Sequence, residues 1–261
     1  HPGLVALATS STNSSGFMFI GLIGETFRSG LSAMWLMIGW ISGDYLAWLM
    51  IHRKLRQRSA EVDAHSVPSF VSAADPTPMR LPRRLAALVT LIFLGCYAAA
   101  QLTAGGKAVY ATFGWPEASG AIISAGLIVM YSFLGGLRAS IWTNSAQALV
   151  MLATIVLLLV TSLGQIGGID QLWSQLRAID PALIDWRPQD ARFGVAMFII
   201  SWIAAGVGVL GQPHLVTIAM SIRDSESLKQ ARPIYFTWYV LFSAACILVG
   251  LCSRVLLDQP G

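Results

Sequence analysis

Seven long apolar stretches, separated by short polar or basic segments, organise this chain. They run over roughly residues 3–27, 31–51, 85–110, 119–135, 141–164, 193–221 and 233–257. A hydrocarbon core about 30 Å thick takes about 20 apolar residues of helix, so the pattern predicts seven transmembrane helices. The alternating strands of about ten residues that mark a membrane barrel are absent. The expected fold class is therefore all-α, a polytopic membrane protein.

Two of these stretches are interrupted. Gly206-Val207-Gly208-Val209-Leu210-Gly211-Gln212-Pro213-His214 places glycines and a proline between the apolar runs Phe193–Ala205 and Leu215–Met220. Small polar residues fill Thr9 to Ser15, ahead of Gly16. Short hydroxyl and amide side chains compete for backbone hydrogen bonds and weaken a helix. Backbone groups released from the helix ladder survive in a membrane only where protein or a watery cavity covers them. Residues 9–16 and 206–214 are thus expected to form two helix breaks that face each other near mid-membrane. Kinks that serve packing alone, with serines bonded back to preceding carbonyls, would leave a similar mark.

Charge supplies the orientation. The segment His52–Arg84 carries Arg53, Lys54, Arg56, Arg58, Arg80, Arg83 and Arg84 against Glu61, Asp63 and Asp75, which places it in the cytoplasm. Alternation then puts Arg138 and the segment Arg223–Arg232 inside, and Gln165–Arg192 outside. Within the first loop, Asp75-Pro76-Thr77-Pro78 and Leu81-Pro82 read as a turn-rich connector. The composition, 55% hydrophobic and 11% charged with mean hydropathy +0.65, excludes a soluble globular domain. The net charge of +4 calls for no nucleic-acid partner, since its basic residues sit mostly in loops. Cys96, Cys246 and Cys252 lie in apolar runs without metal-ligand spacing and read as small core residues. The chain starts at His1 and stops just after a span, which reads as part of a longer protein.

A few polar groups lie at membrane depth. Asp44 is the one acidic residue well inside an expected span, where a carboxylate marks an ion or proton route or else pairs with a basic loop residue. Gln101 and Gln212 each need a hydrogen-bond partner there, and His214 is expected to find a backbone carbonyl.

These motifs together resemble the sodium:solute symporter family, and most closely its sodium/proline symporter branch. The resemblance rests on Ser15-Gly16, Gly21-Leu22, Ser29-Gly30-Leu31-Ser32-Ala33-Met34-Trp35 and Tyr131-Ser132-Phe133-Leu134-Gly135-Gly136-Leu137. Trp142-Thr143 with Gln147, Gly211-Gln212-Pro213-His214, Ala231-Arg232 and Thr237-Trp238 complete it. It implies a LeuT-like fold of two inverted repeats in one transmembrane domain, residues 1–261. Residues 3–164 would be the first five-helix repeat, and 193–257 the first two helices of the second. It implies Na⁺ as coupling ion, held in part by the backbone carbonyls of Ser11 and Ser14, and no other cofactor. The implied substrate region includes Asn13, Ser15, Gly16, Gln101, Gln212 and Pro213. Where proline symporters have aspartates, this chain has Asn13 and Asn144, so Asp44 and Asn144 are the candidates for the ion route. Positions of an aromatic substrate wall match Ala205 and Val209.

The resulting expectation is a Na⁺-coupled symporter of a small organic solute, proline or a related amino acid, embedded as a multi-pass protein in the plasma membrane. A symporter-like sensor domain of a signalling protein is the alternative. An enzyme is not expected, because no nucleophile, metal cluster or acid–base pair accompanies His214 and Asp44. The oligomeric state is left open.

Overall fold

The computed structural model describes residues 1–73, 80–188, 193–222 and 224–257. Its helices, in chain order, are α1 (Pro2–Asn13), α2 (Ile23–Ser29), α3 (Met34–Ala47), α4 (Arg53–Glu61), α5 (Val67–Ser72) and α6 (Arg80–Phe113). There follow α7 (Glu117–Ile166), α8 (Ile169–Ile179), α9 (Val195–Val207), α10 (Pro213–Ser221) and α11 (Ser225–Leu256). No strand occurs among the described residues, as the absence of alternation predicts.

Five helical stretches among these residues are long and apolar enough to cross a membrane, and a bent pair makes a sixth. The difference from seven lies at the N-terminus. α1 is a separate 12-residue helix, too short to span alone. The chain from Phe17 to Glu61 counts as one 45-residue stretch. It nevertheless turns at Gly30, whose φ of 66° and ψ of −146° are not helical. That turn requires glycine twice over, because a Cβ there would also lie 2.3 Å from the Leu183 carbonyl oxygen. The expected spans 119–135 and 141–164 belong to the single 50-residue α7, bent where Gly136 adopts φ 55° and ψ −149°.

The basic segment after His52 is more ordered than a connector. α4 and α5 occupy much of it, and α5 opens with a reciprocal Ser66–Ser69 cap. The residues Asp75-Pro76-Thr77-Pro78 lie outside those described, as do Arg223, Asp190 and Arg192. At one end of α3, Trp35 Nε1 donates to the Trp186 carbonyl at 2.7 Å. Beyond its other end, Arg56 Nε donates to the Ile222 carbonyl. The two loops assigned to opposite sides of the membrane are thus found at opposite ends of the bundle.

The core centres on α11, which packs against α1, α2, α3, α7 and α8. Tyr235, Phe242, Cys246, Leu251 and Cys252 of this helix are buried, together with Leu22, Ile155, Leu172 and Leu176. α3 and α9 cross at near backbone contact. A Cβ on Gly43 would come 2.0 Å from the Ile203 carbonyl oxygen, and one on Gly206 would come 2.1 Å from that of Trp40. Small residues at a crossing let helix backbones approach this closely in a membrane. Cys246 and Cys252 are core residues as expected, but Cys96 lies exposed on α6.

Candidate functional site

Both expected breaks exist, and they differ in extent. At the first, α1 continues through Asn13, and only Ser14 and Ser15 lie outside helical structure before the wide π-helical turn Phe17–Leu22. Thr9, Ser10 and Thr12 do bond back, to the carbonyls of Val5, Ala6 and Ala8 at 2.8, 3.0 and 2.8 Å. The polar run therefore breaks the helix at its end rather than along its length. At the second, α9 tightens into a 3₁₀ turn over Gly208–Gly211, and Gln212 is extended with ψ 101°. Pro213 then starts α10, with a bend of 62° between the two halves. Proline has no N–H to lose at a helix start, which makes it a natural restart point.

Residues of both breaks line one cavity of about 290 Å³. Asn13 and Ser15 come from the first and Gln212 from the second, while Phe17, Met18, Leu36, Met37, Trp40, Tyr97, Trp202 and Tyr239 form the rest. Its walls are mainly apolar and aromatic with a few polar groups, the usual make-up of a small-molecule site. Phe17, Leu36 and Trp202 also border a wider vestibule of about 430 Å³ beside Glu25, Arg28 and Ser29. At the opposite end, toward His52 and Ile222, a pocket of about 10 Å³ remains, walled by Thr9, Trp48, Val209 and Tyr235 among others. The cavity is thus bordered by open space on the Glu25 side and by close packing on the other.

The remaining expected site residues take distinct positions. Gln101 turns its Oε1 to the Gly16 N–H at 2.8 Å, satisfying a backbone donor that the break exposes. A Cβ on Gly16 would sit 2.9 Å from the Ala104 Cβ, so α6 packs directly on the break. Ser11 Oγ donates to Gln147 Oε1 at 3.4 Å, while the Ser14 hydroxyl is buried without a hydrogen-bond partner among the described residues. The turn bonds at the break run from Ser14 N–H to the Ser10 carbonyl and from Met18 N–H to the Ser15 carbonyl, both at 3.0 Å. Pro213 shapes the second break without lining the cavity. Asn144 is tied to α1, its Nδ2 donating to Thr12 Oγ1 at 2.9 Å.

Among the described residues Asp44 has no basic partner, and it is completely buried. Its Oδ2 accepts from the Tyr235 hydroxyl at 2.5 Å, and its Oδ1 is buried with no partner among the described residues. Tyr235 in turn accepts from Asn13 Nδ2 at 2.5 Å. His214 does not reach a backbone carbonyl. Both of its ring nitrogens are buried without a hydrogen-bond partner among the described residues, and the ring stacks on Tyr97 at 5.1 Å. The aromatic walls were not evident in the sequence, nor was Tyr235. A hydroxyl in an apolar run needs a partner, so Tyr235 could have been singled out, although nothing local reveals which partner it finds. Val209 is nearly completely buried beside the small inner pocket, so the position matched to an aromatic wall does not line the main cavity.

Comparison with known proteins agrees with this architecture. The family model described as "Sodium:solute symporter family" matches residues 3–259. The osmoregulated proline transporter OpuE of Bacillus subtilis (strain 168) is 30% identical over 251 residues, covering 96% of this chain and 50% of that protein. The high-affinity proline transporter PutP of the same organism is 29% identical over 261 residues, covering 100% of this chain and 54% of that protein. The sodium/proline symporter of Escherichia coli (strain K12) is 28% identical over 250 residues, with coverages of 95% and 49%. The chain spans about half the length of the curated relatives it matches. Apolar helices, two broken segments around one cavity and a match over nearly the whole chain agree: this multi-pass membrane protein belongs to the sodium:solute symporter family, a family of transporters rather than enzymes.

Proposed function

We propose that this chain forms part of a Na⁺-coupled symporter for a small organic solute, most specifically proline or a related amino acid, in the plasma membrane. The observation that carries the reading is the shared cavity, which two breaks about two hundred residues apart in sequence both line. Helix breaks of this kind present backbone dipoles to ions and polar solutes without exposing them to lipid. Ser15 and Asn13 would meet the polar end of the solute, and Trp40, Tyr97, Trp202 and Tyr239 its apolar body. Gly16 and Gln101 would hold the first break in shape, and Gln212 and Pro213 the second. Na⁺ would bind close to the first break, using the carbonyls of Ser11 and Ser14 among its ligands. Asn144 would support that region through its bond to Thr12.

The fold proposed is LeuT-like, with residues 3–164 as its first repeat and 193–257 as the first two helices of an inverted second. Opening on the Glu25 side and closure beside His52 correspond to the outward-facing half of an alternating cycle. The relatives named above are transporters, which favours transport over a sensor role. The test is uptake of labelled proline by the full-length protein in liposomes, with and without an inward Na⁺ gradient. Accumulation that requires the gradient is expected. Equal proline entry in its absence would overturn Na⁺ coupling, and no entry would overturn the solute.

A further inference from the structure

Asp44, Tyr235 and Asn13 form a hydrogen-bonded chain that links α3, α11 and the end of α1. A phenol has a single proton to donate. With that proton committed to Asp44 Oδ2, the Tyr235 oxygen can act toward Asn13 only as an acceptor. The contact at 2.5 Å must then come from the amide nitrogen, Nδ2. An asparagine side chain can be turned either way at little intrinsic cost, so its neighbours decide which end points where. With the Asp44 carboxylate ionised they decide it, because Nδ2 is held on the Tyr235 side and Oδ1 is left as the remaining acceptor at the cavity that Asn13 lines.

We infer that Asp44 is a positioning residue which, acting through Tyr235, orients the Asn13 amide so that its carbonyl oxygen faces the cavity as a ligand for a cation. The cation is one that oxygen dipoles bind, either Na⁺ or the ammonium group of an amino-acid solute. The reading deepens the proposed symport and rests on it. Several features hold the chain rigid. Asp44 is completely buried and Tyr235 is 1% exposed. The Tyr235 ring stacks on Trp48 at 5.1 Å and meets Phe236 edge-on at 4.7 Å. Stacked on one ring and in edge contact with another, the buried phenol is held with its hydroxyl between Asp44 and Asn13. Without Asp44 the Tyr235 proton would be free to bond Asn13 Oδ1, turning the amide and presenting N–H groups to a cation. The carboxylate thus acts at a distance, with a neutral amide as the group that meets the ligand.

The experiment uses the full-length protein in liposomes, with half-saturating Na⁺ and half-saturating proline measured separately for each variant and normalised to inserted protein. Asp44→Leu and the nearly isosteric Tyr235→Phe should each raise one of these values by about fivefold to tenfold. A rise in the Na⁺ value identifies Na⁺ as the cation, and a rise in the proline value identifies the solute ammonium. The pair Asp44→Leu with Asn13→Asp should return the affected value to within about twofold of the parent. There the Tyr235 proton bonds one oxygen of the new carboxylate, and the other oxygen faces the cavity whichever way the group turns. A purely structural role for Asp44 predicts no such rescue by a change on another helix. If Tyr235→Phe leaves both values unchanged, or the paired variant stays as impaired as Asp44→Leu, the inference is wrong while symport stands. A parent without Na⁺-driven proline uptake removes the functional reading, and this one with it.

Discussion

The two helix breaks reach the same end by different means. At the second, the backbone itself is the device: glycines relax the helix over Gly208–Gly211, and Pro213 restarts it. Added Cβ atoms at Gly208 and Gly211 would meet nothing within 4 Å. The first break has no proline, and it depends on its neighbours. Gln101 takes the Gly16 N–H, Tyr235 takes the Asn13 amide, Asn144 bonds Thr12, and Ala104 presses against Gly16. At Gly208 and Gly211 this second break leaves room for change, although Gly206 just before them packs on α3. The first break is held by side chains of three other helices and depends on each of them for its shape.

The contrast is broken most severely by Gly16→Leu. Its Cβ would start 2.9 Å from the Ala104 Cβ and 3.4 Å from Gln101 Oε1, so the first break and α6 must separate. Proline uptake should fall to background at normal membrane insertion, measured by labelled uptake alongside surface quantification. Gln101→Leu comes next. It leaves the Gly16 N–H without its acceptor, and an unmet buried donor costs about 1–3 kcal/mol. Uptake at low solute should drop by about tenfold, and Gln101→Glu, which keeps an acceptor, should recover most of it. Near-parent uptake in Gln101→Leu would show that the first break does not need its neighbour.

Ser15→Ala has a smaller expected effect. It removes a hydroxyl from the cavity and the acceptor of the Phe17 N–H at 3.2 Å, a bond at a partly exposed position. The solute concentration for half-maximal uptake should rise by about threefold to fivefold, with the maximal rate preserved. Gly211→Ala should change least, less than about twofold in either quantity, because space exists for the methyl group. A Gly211→Ala variant as impaired as Gln101→Leu would mean that the second break is also held by close packing in another state of the cycle.

Much of the site's framework was legible in the chain. Gly208, Gly211 and Pro213 act through the backbone, so their effect is local and can be read wherever they stand. The first break was legible only in outline. Thr9, Ser10 and Thr12 have the same short hydroxyls as Ser14 and Ser15, yet they stay helical by bonding back to the preceding turn. Which hydroxyls bond back and which leave the ladder depends on what packs alongside, and that is not local. His214 shows the same limit, since a carbonyl partner was expected and a stacked Tyr97 ring is found.

Burial of the spans makes the division plain. α6 and α11 have equal mean hydropathy, 2.0, in their most apolar windows, yet none of that window is buried in α6 and 56% is buried in α11. Lipid and protein interior are both apolar, so transfer into a membrane does not distinguish them. The sequence by itself determined that these segments are apolar enough to enter a bilayer and where Gly and Pro interrupt them, because each depends on transfer free energy or local backbone freedom. Only the tertiary structure decided that α11 lies at the centre, that the breaks line one cavity, and that Asp44 reaches Asn13 through Tyr235. Those outcomes depend on steric fit and hydrogen-bond partners from distant parts of the chain, such as Asp44 and Tyr235, 191 positions apart.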